Sequence, residues 1–255
     1  MIALDAIPLD DRGLLLGDGL FETVLARAGA LVELASHLER MAAGCAVLGL
    51  PAPDRAEAEA LMRRAVAQAG LDGARAAVRL TCTAGSGGRG LDRPEAPEPR
   101  LFATASASAA PATPARLMIS TVARNAGSPA SRLKSLSNLD NVLARREALA
   151  AGADEAVMLN GAGHVACAAA ANLFWISGGA LFTPALACGV LDGIVRRAVM
   201  AAVDVTEVAA GAGALADAEA IFLTNSLIGV RPVASLDGRA LASSRVVAEI
   251  AGLIK

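Results

Sequence analysis

The residue with the clearest chemical potential is Lys134, which lies in the segment SRLKSLSN just before a predicted helix. A lysine amine is a nucleophile only when it is deprotonated, and burial beside other cations lowers its pKa enough for this. Such an amine can bond to a carbonyl carbon and can move a proton, first as a base and then as an acid. A loop lysine is more commonly a solvated surface charge, so its surroundings decide between the two interpretations.

Two further segments could bind an anion. The segment GVLDGIVR, residues 189–196, predicts the start of a helix, whose free N–H groups at Ile194 and Val195 can donate to phosphate oxygens. The glycine-rich GSGGRG, residues 85–90, lacks the lysine and the following Ser or Thr of a nucleotide-binding P-loop. We therefore interpret it as a mobile active-site loop that presents Arg89, because arginine binds carboxylates with a bidentate fork.

The elements that must position these residues form an α+β pattern. Ser36 and Glu39 have the spacing of a capping box and predict a helix from His37 to Leu48. A second helix is predicted from Asp54 to Gly70. Strands are predicted by β-branched and apolar runs bounded by turn residues: Gly19–Arg27, Ala30–Leu34, Ala76–Thr83, Arg100–Ala105, Met118–Val122, Glu155–Leu159, Val165–Ala168, Leu173–Ile176 and Ala180–Phe182. Helices are also expected at Asn138–Ala151, Gly193–Ala202 and Ser244–Leu253.

The small, uncharged segment SASAAPATPA, residues 106–115, predicts a linker between two lobes. We expect a small N-terminal lobe over residues 1–105 and a larger C-terminal lobe over residues 116–255. Both histidines, His37 and His164, are interpreted as structural.

Composition excludes several classes of protein. The 255 residues are 55% hydrophobic but only 2% aromatic, and the net charge of −2 gives no reason to expect a nucleic-acid or anionic-membrane partner. The longest uncharged stretch is interrupted by Asn, His, Gly and Pro, which argues against a membrane span. The acidic start MIALDAIPLDDRG does not resemble a secretory signal. The four cysteines form no CxxC pair, so we expect reduced thiols, no metal site and a cytoplasmic protein.

A set of motifs, in one order along nearly the whole chain, resembles the fold-type IV pyridoxal-phosphate (PLP) enzymes, which are the class IV aminotransferases and their lyase relatives. The segments are DRGLLLGDGLFET (11–23), HLER (37–40), GSGGRG (85–90), Lys134 with NVLARREAL (141–149), GADEAVMLN (152–160), ANLFW (171–175), LFTP (181–184), GVLDGIVR (189–196) and FLTNSLIGVRPV (222–233). The resemblance implies a two-lobed α+β fold with a barrel-like sheet in the larger lobe, and a homodimer.

The resemblance also implies roles for individual residues. Lys134 would hold PLP as a Schiff base, and Arg40 and Ser226 would bind the cofactor phosphate together with the helix start at Ile194 and Val195. The motif G-x-V-x-E-x-x-x-x-N-x-F is represented by Gly163, Val165, Cys167, Asn172 and Phe174. Cys167 therefore stands where a glutamate normally pairs with the pyridine nitrogen of the cofactor.

Within the family, GSGGRG, TNSLIGVRPV and ANLFW followed by LFTP resemble the 4-amino-4-deoxychorismate lyases. This reaction converts an amine with two carboxylates into pyruvate and 4-aminobenzoate, a folate precursor, and Arg89 and Arg231 are the natural carboxylate partners. The chain has no tyrosine, and Leu139 replaces the tyrosine that follows Asn138 in branched-chain aminotransferases. Val195 replaces a frequent threonine, and Ala84 stands where lyases often carry arginine. The alternatives are an aminotransferase acting on D-amino or small or branched amino acids, and a PLP-binding relative with altered catalysis.

Overall fold

The computed structural model describes residues 6–254. The first five residues, which open the acidic start, and Lys255 lie outside this range. The helices are α1 (Arg12–Leu16), α2 (Leu34–Leu48), α3 (Arg55–Gln68), α4 (Leu139–Ala150), α5 (Ile194–Ala202), α6 (Gly213–Ala216) and α7 (Arg245–Leu253). The strands are β1 (Gly19–Arg27), β2 (Ala30–Leu31), β3 (Ala76–Thr83), β4 (Arg100–Ala107), β5 (Ala115–Ile119), β6 (Glu155–Leu159), β7 (Val165–Ala168), β8 (Asn172–Ser177), β9 (Ala180–Pro184), β10 (Thr206–Val208), β11 (Ala220–Asn225), β12 (Gly229–Leu236) and β13 (Arg239–Ala240).

The chain forms two compact units. The first comprises the residues up to Ala109 together with Leu133–Ser137, and the second comprises Ala110–Arg132 and the residues from Asn138 onward. The short segment that carries Lys134 thus clusters with the first unit, although the lobe boundaries drawn from the sequence assign it to the second. The linker proposed at residues 106–115 overlaps two strands, because β4 continues to Ala107 and β5 begins at Ala115.

The first unit is a four-stranded antiparallel sheet in the order β2-β1-β3-β4, with α2 and α3 packed on one face. Alternation along the strands turns Leu20 and Val24 of β1 and Val78 and Leu80 of β3 into this core. The side chain of Asp54 accepts a hydrogen bond from the Glu57 N–H and caps α3. The helix therefore begins at Arg55, one residue after the predicted start.

The second unit contains a nine-stranded mixed sheet. Its main path is β10-β9-β8-β11-β12-β5-β6-β7, and β13 pairs with β12. The sheet curls into a half barrel, with one apolar cluster around Leu173, Trp175 and Ile221 and another between β8, β11, α5 and α7. The predicted α+β class is confirmed.

Two boundaries that the sequence predicts around α2 are wrong. The helix α2 begins at Leu34 rather than His37, because Glu33 adopts a left-handed conformation that turns the chain into the helix earlier. The Ser36 hydroxyl donates to the Glu33 carboxylate at 2.9 Å instead of capping the helix. This early start also ends the second predicted strand at Leu31 rather than Leu34.

The strand predicted at Met118–Val122 begins and ends earlier, at Ala115 and Ile119. Its continuation is blocked because the Thr121 N–H donates to the carboxylate of Glu147 instead of to a neighbouring strand. Within residues 6–254, no helix is long and apolar enough to cross a membrane.

Candidate functional site

The Lys134 segment is held against β1 of the first unit. The Phe21 N–H donates to the Lys134 carbonyl oxygen at 2.9 Å. Glycine is required at position 19 of β1, since a Cβ there would lie 2.4 Å from the Cys82 carbonyl oxygen. Backbone pairing with β1 therefore fixes a lysine that is distant from it in sequence.

The Lys134 amine lies among aromatic and charged groups of the same unit. Its Nζ is 4.4 Å from the centre of the Phe21 ring, and the guanidinium carbon of Arg79 is 3.6 Å from that centre. Burial lowers the pKa of Lys134 from 10.5 to about 8; Glu22 opposes the shift, whereas Arg40 and Arg79 add to it. A nucleophilic amine is therefore available near neutral pH.

Glu22 carries the negative charge that acts on this lysine. It accepts hydrogen bonds from Arg40 Nε at 2.8 Å, from Arg40 Nη2 at 2.6 Å and from His37 Nδ1 at 2.7 Å. Burial alone would raise the pKa of Glu22, but these hydrogen bonds outweigh it and the pKa is lowered. Arg40 lies in the second turn of α2, rather than in the first as predicted, because the helix begins earlier.

Glu22, Phe21 and Arg79 were missed by the sequence reasoning. A signal existed for Glu22, because strand alternation places it on the same face as Leu20 and Val24, where a carboxylate needs cationic partners. No local pattern distinguishes Arg79 from a surface arginine. Its half-buried guanidinium makes no ion pair with the residues that the structure describes, and desolvation lowers its pKa.

In the second unit, Asn172 fixes the chain that leads into α5. Its Nδ2 donates to the Leu191 carbonyl oxygen at 2.8 Å. A Cβ at Gly193 would lie 2.0 Å from Asn172 Oδ1, so any other residue there would displace the Asn172 side chain. No side chain caps the helix, and its first-turn N–H groups at Ile194 and Val195 have no acceptor within the helix. This end of α5 fits an anionic group such as phosphate.

Ser226 follows β11 in a tight turn of the same unit. The Asn225 side chain shapes this turn by accepting hydrogen bonds from the N–H groups of Leu227 and Ile228, each at 2.9 Å. Its Nδ2 donates to the Ala170 carbonyl oxygen at 2.9 Å. Ser226 is thus carried by an ordered turn rather than a loose strand end.

Cys167 lies on β7 with only 6% of its surface exposed, opposite Met158 of β6. Burial raises the pKa of its thiol; the charge of Arg124 opposes the shift and that of Glu155 adds to it. The thiol is therefore neutral at physiological pH. The nearby Glu155 is itself paired with Arg145 at 2.6 Å.

The three predicted substrate contacts have different settings. Arg89 is exposed at the tip of a turn in the first unit, where the Asp92 N–H donates to the Arg89 carbonyl oxygen. Arg231, on β12 of the second unit, donates from Nε to the Thr113 carbonyl oxygen at 3.0 Å. Leu139 opens α4 and is 67% exposed. The first unit brings Lys134 and Arg40 together around Glu22, and the second brings Asn172 to the start of α5.

Comparison with known proteins agrees with these features. The sequence profile of the family described as "Amino-transferase class IV" matches residues 19–236. The aminodeoxychorismate lyase of Vibrio harveyi is 30% identical over 248 residues, which cover 90% of this chain and 87% of that protein. Other relatives are named as aminodeoxychorismate lyases or as branched-chain or D-alanine aminotransferases.

Two solved structures share the fold. The fold IV-transaminase of Curtobacterium pusillum has a TM-score of 0.84 at 25% identity, covering 99% of this chain and 88% of that one. A hypothetical aminotransferase from Mycobacterium tuberculosis in its PLP-bound form has a TM-score of 0.84 at 22% identity, covering 99% and 93%. The predicted fold and cofactor are confirmed, and this chain belongs to the class IV aminotransferase family of PLP-dependent enzymes.

Proposed function

We propose that this protein is a 4-amino-4-deoxychorismate lyase, which eliminates pyruvate from its substrate to give 4-aminobenzoate. The observation that carries the proposal is the buried, neutral thiol of Cys167 at the position where the family motif has a glutamate. A thiol keeps a pyridine nitrogen protonated less well than a carboxylate does, which weakens the ring as an electron sink. Aromatisation of the product favours elimination, whereas transamination has no such driving force.

The residues present fit PLP. Lys134 offers an amine whose lowered pKa of about 8 leaves a reactive free fraction near neutral pH, and Gly193 leaves the start of α5 open to an anion. We assign phosphate binding to Arg40, Ile194, Val195 and Ser226, and ring contacts to Cys167 and Asn172. When bound, PLP supplies an electron sink for the carbon that bears the substrate amine.

The chain's own groups then move one proton and orient the substrate. Lys134 Nζ, uncharged and close to Phe21, removes the proton from the amine-bearing carbon and holds it as an ammonium beside Glu22. Carboxylate binding is assigned to Arg89 and Arg231, with Leu139 beside the substrate. Arg79 is a further candidate, because its guanidinium lies against the Phe21 ring that Lys134 also contacts.

The test is product release without a keto acid. A lyase releases equal amounts of pyruvate and 4-aminobenzoate from aminodeoxychorismate with no acceptor present. An aminotransferase acting on D-amino, small or branched amino acids, the second candidate, stops after one turnover without an acceptor. The names of several relatives favour it. Yellow protein with no turnover on any amine would instead indicate a PLP-binding relative with altered catalysis.

We further propose a cytoplasmic homodimer. An apolar stripe on α4 supports association, because Leu139, Val142 and Leu143 lie at helical spacing and are 67%, 50% and 41% exposed. Sedimentation or light scattering should give twice the monomer mass, and a monomer at micromolar concentration would contradict this.

A further inference from the structure

Arg12, at the start of α1, is a buried arginine whose hydrogen bonds converge on the glycine-rich loop. It is 4% exposed. Its Nη1 donates to the carbonyl oxygen of Asp92 at 2.8 Å and to that of Gly87 at 3.3 Å, and its Nη2 donates to the carbonyl oxygen of Leu91 at 2.8 Å. Three backbone carbonyls of one loop thus surround a single guanidinium.

The loop closes tightly around this group. At Gly88, which has a φ of +86°, a Cβ would lie 2.0 Å from the Asp92 carbonyl oxygen and 3.0 Å from Arg12 Nη1. At Gly85, a Cβ would lie 2.0 Å from the Glu98 carbonyl oxygen. Gly85 and Gly88 therefore serve close backbone approach, and these two points anchor the loop that the composition predicts to be mobile.

A partly buried carboxylate holds Arg12 in turn. Asp18 accepts from Arg12 Nε at 2.9 Å and from Arg93 Nε at 2.9 Å, while Arg93 Nη1 donates to the Leu48 carbonyl oxygen at 2.6 Å. Hydrogen bonds from Arg93 and then Arg12 keep the pKa of Asp18 below its usual value, although burial opposes the shift. Asp18 therefore stays ionised at neutral pH and keeps its salt bridges to Arg12 and Arg93.

The consequence concerns Arg89, which lies between the anchored carbonyls. Because Gly87, Leu91 and Asp92 turn their carbonyl oxygens toward Arg12, the turn from Arg89 to Asp92 leaves the Arg89 side chain exposed. We propose that Arg12 is a positioning residue that fixes this loop so that Arg89 can bind a substrate carboxylate. The inference rests on the proposed function, and it adds the residue on which the Arg89 contact depends.

One test measures the loop directly. Trypsin cleaves after Arg89 but not after Arg93, which precedes proline, so the 89–90 bond reports on loop opening. In Arg12→Lys, a single ammonium cannot bridge Asp18 and three carbonyls, and we expect cleavage at Arg89 at least tenfold faster than in wild type. Arg63→Lys is the matched control, because Arg63 lies in the same unit and bonds to Glu59 and to the Gly29 carbonyl oxygen rather than to the glycine-rich loop.

A second test measures binding without turnover. Chorismate carries both carboxylates but no amine, and its dissociation constant with the PLP-loaded protein can be measured by calorimetry. We expect it to rise about tenfold in Arg12→Lys and in Arg89→Gln and to be unchanged in Arg63→Lys. If Arg12→Lys does not fold, Asp18→Asn weakens the same anchor.

Each outcome has a defined meaning. Unchanged cleavage in a folded Arg12→Lys or Asp18→Asn variant overturns the inference, and so does a released loop with unchanged chorismate affinity. Failure of wild-type protein to release pyruvate contradicts the lyase proposal instead. The protease measurement still decides in that case whether Arg12 fixes the loop, because it does not depend on the substrate.

Discussion

Removal of the Arg40 charge should make Lys134 a poorer nucleophile. Arg40 lowers the pKa of Lys134, and it also neutralises Glu22, which raises that pKa. With a pKa of about 8 rather than 10.5, the fraction of Lys134 in the free-amine form at pH 7 is roughly 300 times that of an exposed lysine. In Arg40→Met, Glu22 keeps its hydrogen bond with His37 but loses its arginine partner, and we expect the pKa of Lys134 to rise by about one unit or more, with about a tenfold loss of free amine at pH 7.

The assay uses pyridoxal, which lacks the phosphate that Arg40 is proposed to bind. Capture of pyridoxal on Lys134, fixed by borohydride and counted by mass spectrometry, is followed from pH 6 to pH 10. Its rate should rise through the pKa of Lys134, and the midpoint should move upward in Arg40→Met. Arg63→Met, which removes an exposed arginine paired with Glu59, should leave the midpoint unchanged. A midpoint in Arg40→Met that stays in place or moves downward would refute the electrostatic reasoning.

Three further predictions concern Lys134, Gly193 and Cys167. Between pH 8 and 10.5 the unfolded chain binds more protons at Lys134 than the folded apoprotein does, so the stability of the wild type should rise across this range. Lys134→Met should raise the free energy of unfolding, measured in urea, by up to about 3 kcal/mol at pH 7 and by little at pH 10.5. An equal gain at both pH values would be inconsistent with the lowered pKa of Lys134. Gly193→Ala should force Asn172 away from α5, and it should weaken PLP binding roughly tenfold or more while leaving the affinity for pyridoxal nearly unchanged. Equal losses of affinity for both ligands would argue against phosphate binding at the start of α5. Cys167→Glu should raise transaminase side activity relative to pyruvate release. The absence of such a gain with cofactor bound would contradict the argument that the Cys167 thiol weakens the cofactor ring as an electron sink.

Much of the candidate site could be predicted because its signals are local. Lys134, Cys167 and the start of α5 each lie in short motifs whose order along the chain resembles one family. The start of the helix predicted from Asp54 is right to within one residue, and the Asp54 side chain caps it. The capping box predicted at Ser36 failed, because a left-handed Glu33 had already started the helix.

The remaining features depend on contacts between distant parts of the chain. The backbone hydrogen bond between Phe21 and Lys134 joins two segments, and neither sequence pattern indicates which residues would pair. The Lys134 segment therefore belongs to the first unit, which the sequence did not predict. Arg12 bonds to carbonyls 75 to 80 residues away, which no spacing rule can anticipate. The interpretation of GSGGRG as a mobile loop followed from its glycines, but one of them, Gly88, permits close packing against Arg12.

The central claim is that Lys134 holds the cofactor. The direct measurement is the absorbance of purified protein before and after borohydride reduction, followed by mass mapping of the modified peptide. The account predicts a visible absorption band that disappears on reduction and a single phosphopyridoxyl group on Lys134. Modification of any other lysine, or an intact band and full labelling in Lys134→Ala, would contradict it.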